Sequence, residues 1–163
     1  SNYGVKRRLT LTPEAGERVS IGLDIFNRDC QLSPAAAAAW KSMCADASRH
    51  DIDLKAVSGY RGVHYQAELV RKKLAAGQPV ERILRVTAAP GYSEHHGGNA
   101  LDVTAPGITP LSQEFSMSRA YEWLKSQARL YGFRESYPNN NRHNIDWEPW
   151  HWCYRETFDP KRR

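Results

Sequence analysis

The sequence has only three cysteines, no apolar run long enough to cross a bilayer, no internal repeat and no low-complexity tract. Each absence removes a class of protein. An odd cysteine count is not a disulfide framework. At most Cys30 and Cys44 could pair, and only in an oxidising compartment, while Cys153 reads as a buried thiol. A spanning helix needs roughly 20 consecutive apolar residues, which the chain does not offer. Neither zinc-finger spacing nor an aromatic RNA-binding signature accompanies its basic residues, so a nucleic-acid binder is not expected. Neither Cys44 nor Cys153 stands in a nucleophile context, which argues against a thiol hydrolase. No secretory leader opens the chain. It begins Ser1-Asn2 rather than with methionine, which leaves room for an export signal or a membrane anchor upstream.

The 163 residues suit a single domain, with 40% hydrophobic and 25% charged residues. The net charge is +5 and the sequence pI is about 9.2. That balance favours polyanionic partners, bacterial wall polymers among them. Part of the excess sits in Lys6-Arg7-Arg8 and Lys161-Arg162-Arg163, both read as solvated tails.

Residues 1–30 read as irregular or weakly stranded, forming an extension or cover ahead of a motif-bearing core at 54–155. Ser33 as N-cap and Pro34 at the first turn predict a helix to about Ala47. Leu54 to Val57 reads as a strand. Helical spacing of Tyr65, Leu69, Val70, Lys73 and Leu74 predicts a helix from Val63 to about Ala76. Val80–Val86 suits a short helix, and Ser118–Leu130 an amphipathic one. Ala100–Thr104, Phe133–Tyr137 and Trp150–Tyr154 read as strands. Helices mixed with short strands, without regular β-α-β alternation, give an α+β fold: a small, mainly antiparallel sheet flanked by helices.

Two distant segments carry chemistry. The first is Ser93-Glu94-His95-His96-Gly97-Gly98-Asn99-Ala100-Leu101-Asp102, and the second is Glu148-Pro149-Trp150-His151. Two imidazoles and a carboxylate, from His95, Asp102 and His151, can hold Zn²⁺ with a fourth position open. Glu148 remains as a base. Gly97-Gly98 argues against a continuous helix, so a tight loop feeding a strand must bring His95 over Asp102. On a regular strand Glu148 and His151 would face opposite ways; Pro149 lets the chain bend. His96 is the main competitor for His95, but two adjacent residues of an extended segment do not both point inward. His50, His64 and His143 read as surface or supporting groups.

These segments, together with Ser58-Gly59-Tyr60-Arg61 and Tyr65-Gln66, resemble the D-alanyl-D-alanine carboxypeptidase family of zinc peptidases. The matching positions are Ser93, His95, Gly98, Ala100, Asp102, Glu148, Trp150 and His151. The resemblance implies Zn²⁺ on His95, Asp102 and His151, Glu148 as general base and Arg61 as a cation near the scissile carbonyl. It implies that Ser93 and Gln66 face the substrate. It further implies a monomeric carboxypeptidase of the periplasm or cell envelope that trims the terminal D-alanine from peptidoglycan stem peptides. An L,D cut is favoured over a D,D cut. The alternatives are an L-alanyl-D-glutamate endopeptidase of endolysin type and a non-catalytic zinc- or wall-binding module. The Asn-rich loop 138–146 and Cys153 depart from the family pattern and bear on substrate preference.

Overall fold

A computed structural model describes residues 2–155. The elements run α1 (Tyr3–Arg7), β1 (Val19–Leu23), β2 (Asp29–Leu32), α2 (Pro34–Arg49), β3 (Lys55–Ser58), α3 (Val63–Ala75) and α4 (Val80–Val86). Then follow β4 (Ala100–Thr104), α5 (Arg119–Gln127), β5 (Phe133–Glu135) and β6 (His151–Tyr154). The main sheet has the order β3-β4-β6-β5 and every pairing is antiparallel. The architecture is therefore the expected mixture of helices and antiparallel sheet.

Ser33 caps α2 by accepting a hydrogen bond from the Ala36 amide, and Pro34 opens the helix. This places Ala36, Trp40, Met43 and Ala47 on one buried stripe. That stripe packs with Leu101 and Val103 of β4, Trp152 of β6 and Phe133 of β5, with Phe115 and Leu124 completing the core. Strand alternation then decides everything about the other face. With Leu101, Val103 and Trp152 committed to the core, Asp102 and His151 must point the opposite way.

Four readings need correction. The N-terminal region is more ordered than expected: a one-turn helix, α1, is followed by an antiparallel hairpin, β1–β2. Most β1 side chains are exposed, so no buried alternation marks the strand. The helix after Ser118 stops at Gln127 and continues as a 3₁₀ turn over Ala128–Tyr131, tightening toward Gly132. The Lys6-Arg7-Arg8 run is not simply a solvated tail. Arg7 donates to the Asn144 carbonyl at 2.5 Å and stacks over Tyr3. The run Lys161-Arg162-Arg163 lies outside the described residues. The possible Cys30–Cys44 pairing is not formed, since all three cysteines are free.

Burial pushes the thiols of Cys30 and Cys44 up to about 12 and also raises that of Cys153. At pH 8 only about one such thiol in 10⁴ is ionised, and the thiolate is the nucleophile. Iodoacetamide is therefore expected to label the folded protein about 10³-fold more slowly than the unfolded chain, read by intact mass.

Candidate metal centre

Asp102 of β4 pairs directly with His151 of β6. Facing residues of an antiparallel pair bring their side chains within roughly 4.5–5.5 Å at Cβ. Here the His151 Nδ1 lies 3.1 Å from Asp102 Oδ1. The third member comes from outside the sheet. Ser93 caps a short 3₁₀ turn, Glu94–Gly97, by accepting from the His95 amide at 3.3 Å. Gly98 then reverses the chain at φ +68°, and a Cβ there would sit 2.9 Å from the Ser33 amide nitrogen. The turn seats His95 Nε2 3.3 Å from Asp102 Oδ2. All three side chains are buried, and one donor atom from each lies within 4.8 Å of the others.

The tautomer of His95 follows from its second nitrogen. Nδ1 lies 2.7 Å from the Gly59 carbonyl, which can only accept, so Nδ1 carries the proton. Gly59 makes this possible by lying against β2: a Cβ there would sit 2.5 Å from the Gln31 carbonyl oxygen. Burial, reinforced by the Arg61 charge, holds His95 down at about 4, so the ring is neutral. Its Nε2 lone pair consequently faces a carboxylate, and Nε2 has no hydrogen-bond partner among the described residues. An acceptor set against an acceptor in a buried site is the arrangement a cation resolves. Two nitrogens and one oxygen are a donor set suited to zinc.

His151 is held from both sides. Nδ1 meets Asp102, and Nε2 lies 3.0 Å from Glu94 Oε2. Burial opposes its charge, but the hydrogen bonds to Asp102 and Glu94 outweigh burial and raise it to about 10. Asp102 is correspondingly lowered: burial opposes ionisation, while His95, His151 and Arg61 favour it. Glu148 sits 3.8 Å from His151 Nδ1. It lies before β6 in a turn closed by the His151 amide donating to the Glu148 carbonyl at 3.0 Å, which reconciles its direction with that of His151. Burial is the largest influence on Glu148 and pushes it up to about 7. His96 does not compete for the centre. It accepts from the Gly91 amide at Nε2 and donates from Nδ1 to the Arg61 carbonyl at 2.6 Å.

A cleft of about 300 Å³ opens onto the triad. Arg61, Gln66, Ser93, Glu148, His95 and His151 all line it, so each expected site residue except the deeper Asp102 borders the same space. Arg61 contacts Asp102 at 3.5 Å, yet its buried Nε is unpaired among the described residues. Gln66 donates Nε2 to the Ala88 carbonyl at 2.8 Å, leaving its buried Oε1 without a partner.

Glu94 is the group that motif reading passed over. It accepts from Ser136 Oγ at 2.5 Å and from Arg155 at 2.6 Å while engaging His151. Burial opposes its ionisation, but the hydrogen bond and charge of His151, the Ser136 hydroxyl and the Arg155 charge together outweigh burial and lower Glu94 to about 2. A carboxylate between Ser93 and His95 was visible in the sequence. Its partner, 57 residues away, was not.

Residues 29–157 match the family model described as VanY, D-alanyl-D-alanine carboxypeptidase. The chain is 31% identical over 122 residues to YodJ of Bacillus subtilis (strain 168), which is named as a carboxypeptidase. It is 32% identical over 107 residues to a D-alanyl-D-alanine carboxypeptidase of Enterococcus faecalis (strain ATCC 700802 / V583). These alignments cover 73% and 60% of this chain but only 44% and 38% of the two relatives. Among solved structures, the LdcB LD-carboxypeptidase superposes with a TM-score of 0.76 at 28% identity, covering 86% of this chain and 69% of that one. A variant of the vancomycin-resistance D,D-pentapeptidase VanY, solved with Zn(II), gives 0.66 at 24% identity, covering 91% and 87%. The motifs, the fold and the match over most of the chain agree: this protein belongs to the D-alanyl-D-alanine carboxypeptidase family.

Proposed function

We propose that the protein is a zinc-dependent carboxypeptidase that removes the terminal D-alanine from peptidoglycan stem peptides, with an L,D cut favoured over a D,D cut. One observation carries the reading. The neutral His95 turns a lone pair toward the Asp102 carboxylate inside a buried site, with His151 beside both. His95 Nε2, Asp102 and His151 Nδ1 are the donors that would hold the metal. Zn(II) in the VanY-type pentapeptidase and the LD-specificity named for LdcB support the assignment.

Zinc, when bound, supplies Lewis acidity toward water and toward a peptide carbonyl. The remaining chemistry belongs to the chain. Glu148, held near 7 by burial, takes a proton from the attacking water and returns it to the leaving amine. Arg61 offers its unpaired Nε–H where negative charge develops on the carbonyl oxygen. Gln66 Oε1 is an acceptor free to take a substrate N–H. Ser93 fixes the turn that carries His95 and borders the substrate space. Glu94 holds the far side of His151, the second-layer contact that orients a metal-ligating histidine.

The whole of residues 1–163 acts as one catalytic domain. The N-terminal 30 residues serve as a cover: the Thr12 amide donates to the Gly91 carbonyl, the Ala15 amide to the His96 carbonyl, and Phe26 borders the cleft. Such an enzyme works as a monomer at the cell envelope, where its net charge of +5 favours residence near anionic wall polymer. No helix among the described residues is long and apolar enough to cross a membrane. Mass spectrometry of defined tetra- and pentapeptide muropeptides is expected to show loss of one terminal D-alanine, faster from the tetrapeptide. Cleavage between L-alanine and D-glutamate instead would overturn the carboxypeptidase assignment.

A further inference from the structure

Three long cationic side chains line the cleft: Arg28, Arg61 and Lys73. Arg28 is committed to Asp24 at 2.8 Å and to the Val57 carbonyl at 3.1 Å. Arg61 is held to Asp102. Lys73 has no carboxylate partner among the described residues. Its ammonium makes one hydrogen bond, to Thr87 Oγ1 at 2.5 Å, which leaves two N–H donors unused. Tyr65, Leu69 and Lys73 follow one another at helical spacing along the face of α3 that borders the cleft, so Lys73 extends the same wall that carries Gln66.

We propose that Lys73 is the specificity-determining residue that recognises the free terminal carboxylate of the substrate. The inference rests on the carboxypeptidase reading and deepens it. An exopeptidase distinguishes a chain end from an internal bond by the charge on that end, and a half-buried ammonium without a counterion is the group suited to take it. Burial lowers the Lys73 pKa, and the charges of Glu148 and Arg61 act on it, so it lies within electrostatic reach of both. The terminal carboxylate of a bound peptide is one residue beyond the scissile carbonyl, about 3.8 Å in Cα spacing. Lys73, Arg61 and Glu148 line the same cleft, so a peptide seated with its scissile carbonyl at Arg61 carries its terminal carboxylate into the space that Lys73 borders.

The test compares three tetrapeptides on the zinc-loaded protein: one with a free terminal carboxylate, its C-terminal amide, and one with a free terminus whose side-chain carboxylates are amidated. Wild type is expected to favour the free acid strongly over the amide. Lys73→Met is expected to raise KM for the acid by about 10- to 100-fold, with kcat within about threefold, and to erase the acid-over-amide preference. Thr87→Val removes the tie to Thr87 but leaves the ammonium, and it should keep that preference. The inference falls if Lys73→Met keeps the wild-type preference, if Thr87→Val loses it equally, or if Lys73→Met alters discrimination only of the side-chain-amidated peptide. If zinc-loaded wild type cleaves none of the three, the reading of the site falls, and this inference with it.

Discussion

Replacing Glu148 by glutamine is expected to lower turnover of a stem peptide by about 10²–10⁴-fold while leaving one zinc per chain. Glutamine keeps the shape of the side chain and one acceptor oxygen but cannot carry a proton between water and amine. Glu148 contributes no atom to the His95–Asp102–His151 cluster, so metal content should not move. Its buried position suits the proposed role of base. At an ordinary carboxylate pKa it would be a feeble base near neutrality, and burial brings it to about 7. Turnover by single-turnover kinetics and zinc by elemental analysis, made on one preparation, check both halves of the prediction. A variant with unchanged turnover would remove Glu148 from the mechanism.

The second large effect is on Asp102, which combines structural and chemical duty. It stands 3.1 Å from His151 Nδ1, 3.3 Å from His95 Nε2 and 3.5 Å from Arg61. Asp102→Ala removes one of three metal donors and also leaves a buried His151 cation and the Arg61 guanidinium without their shared anion. Breaking a buried pair by removing one partner costs about 3–5 kcal/mol. For a domain this size that corresponds to a Tm lower by about 6–20 °C in metal-free protein. Wild type should gain about 4 kcal/mol from zinc at 1,000 times its Kd, and the variant should gain almost none. Calorimetric melts with and without zinc separate the two effects. A variant that melts like wild type, and responds to zinc like wild type, would contradict the central role given to Asp102.

The convergence of His95, Asp102 and His151 was legible from two distant segments and their resemblance to a family pattern, with local signals in support. Gly97-Gly98 breaks the helix ahead of β4, the Leu101/Val103 alternation fixes the outward direction of Asp102, and Pro149 bends the chain before His151. The inner face of the sheet was equally plain from its apolar residues. Less legible were features set by pairing across distance. The contact of Glu94 with His151 depends on the β4–β6 register, and neither residue signals the other. The β1–β2 hairpin was read only as weakly stranded, because exposed Val19 and Leu23 give no buried alternation to fix a strand or its partner. The one-turn α1 lacks a side-chain cap and is held by contacts of Tyr3 with the Ala89 amide and with Tyr92, which no local pattern announces. Lys73 was visible only as a helix-face residue. That it has no acidic partner among the described residues emerged only when α3 took its place along the cleft.

Hydrolysis should depend on an ion held by His95, Asp102 and His151. Release of D-alanine from a defined tetrapeptide should be measured on protein as purified, on protein stripped by a chelator, and after one equivalent of zinc is returned. The expected result is loss of release on stripping and recovery at one zinc per chain. Undiminished release from the stripped protein would contradict it.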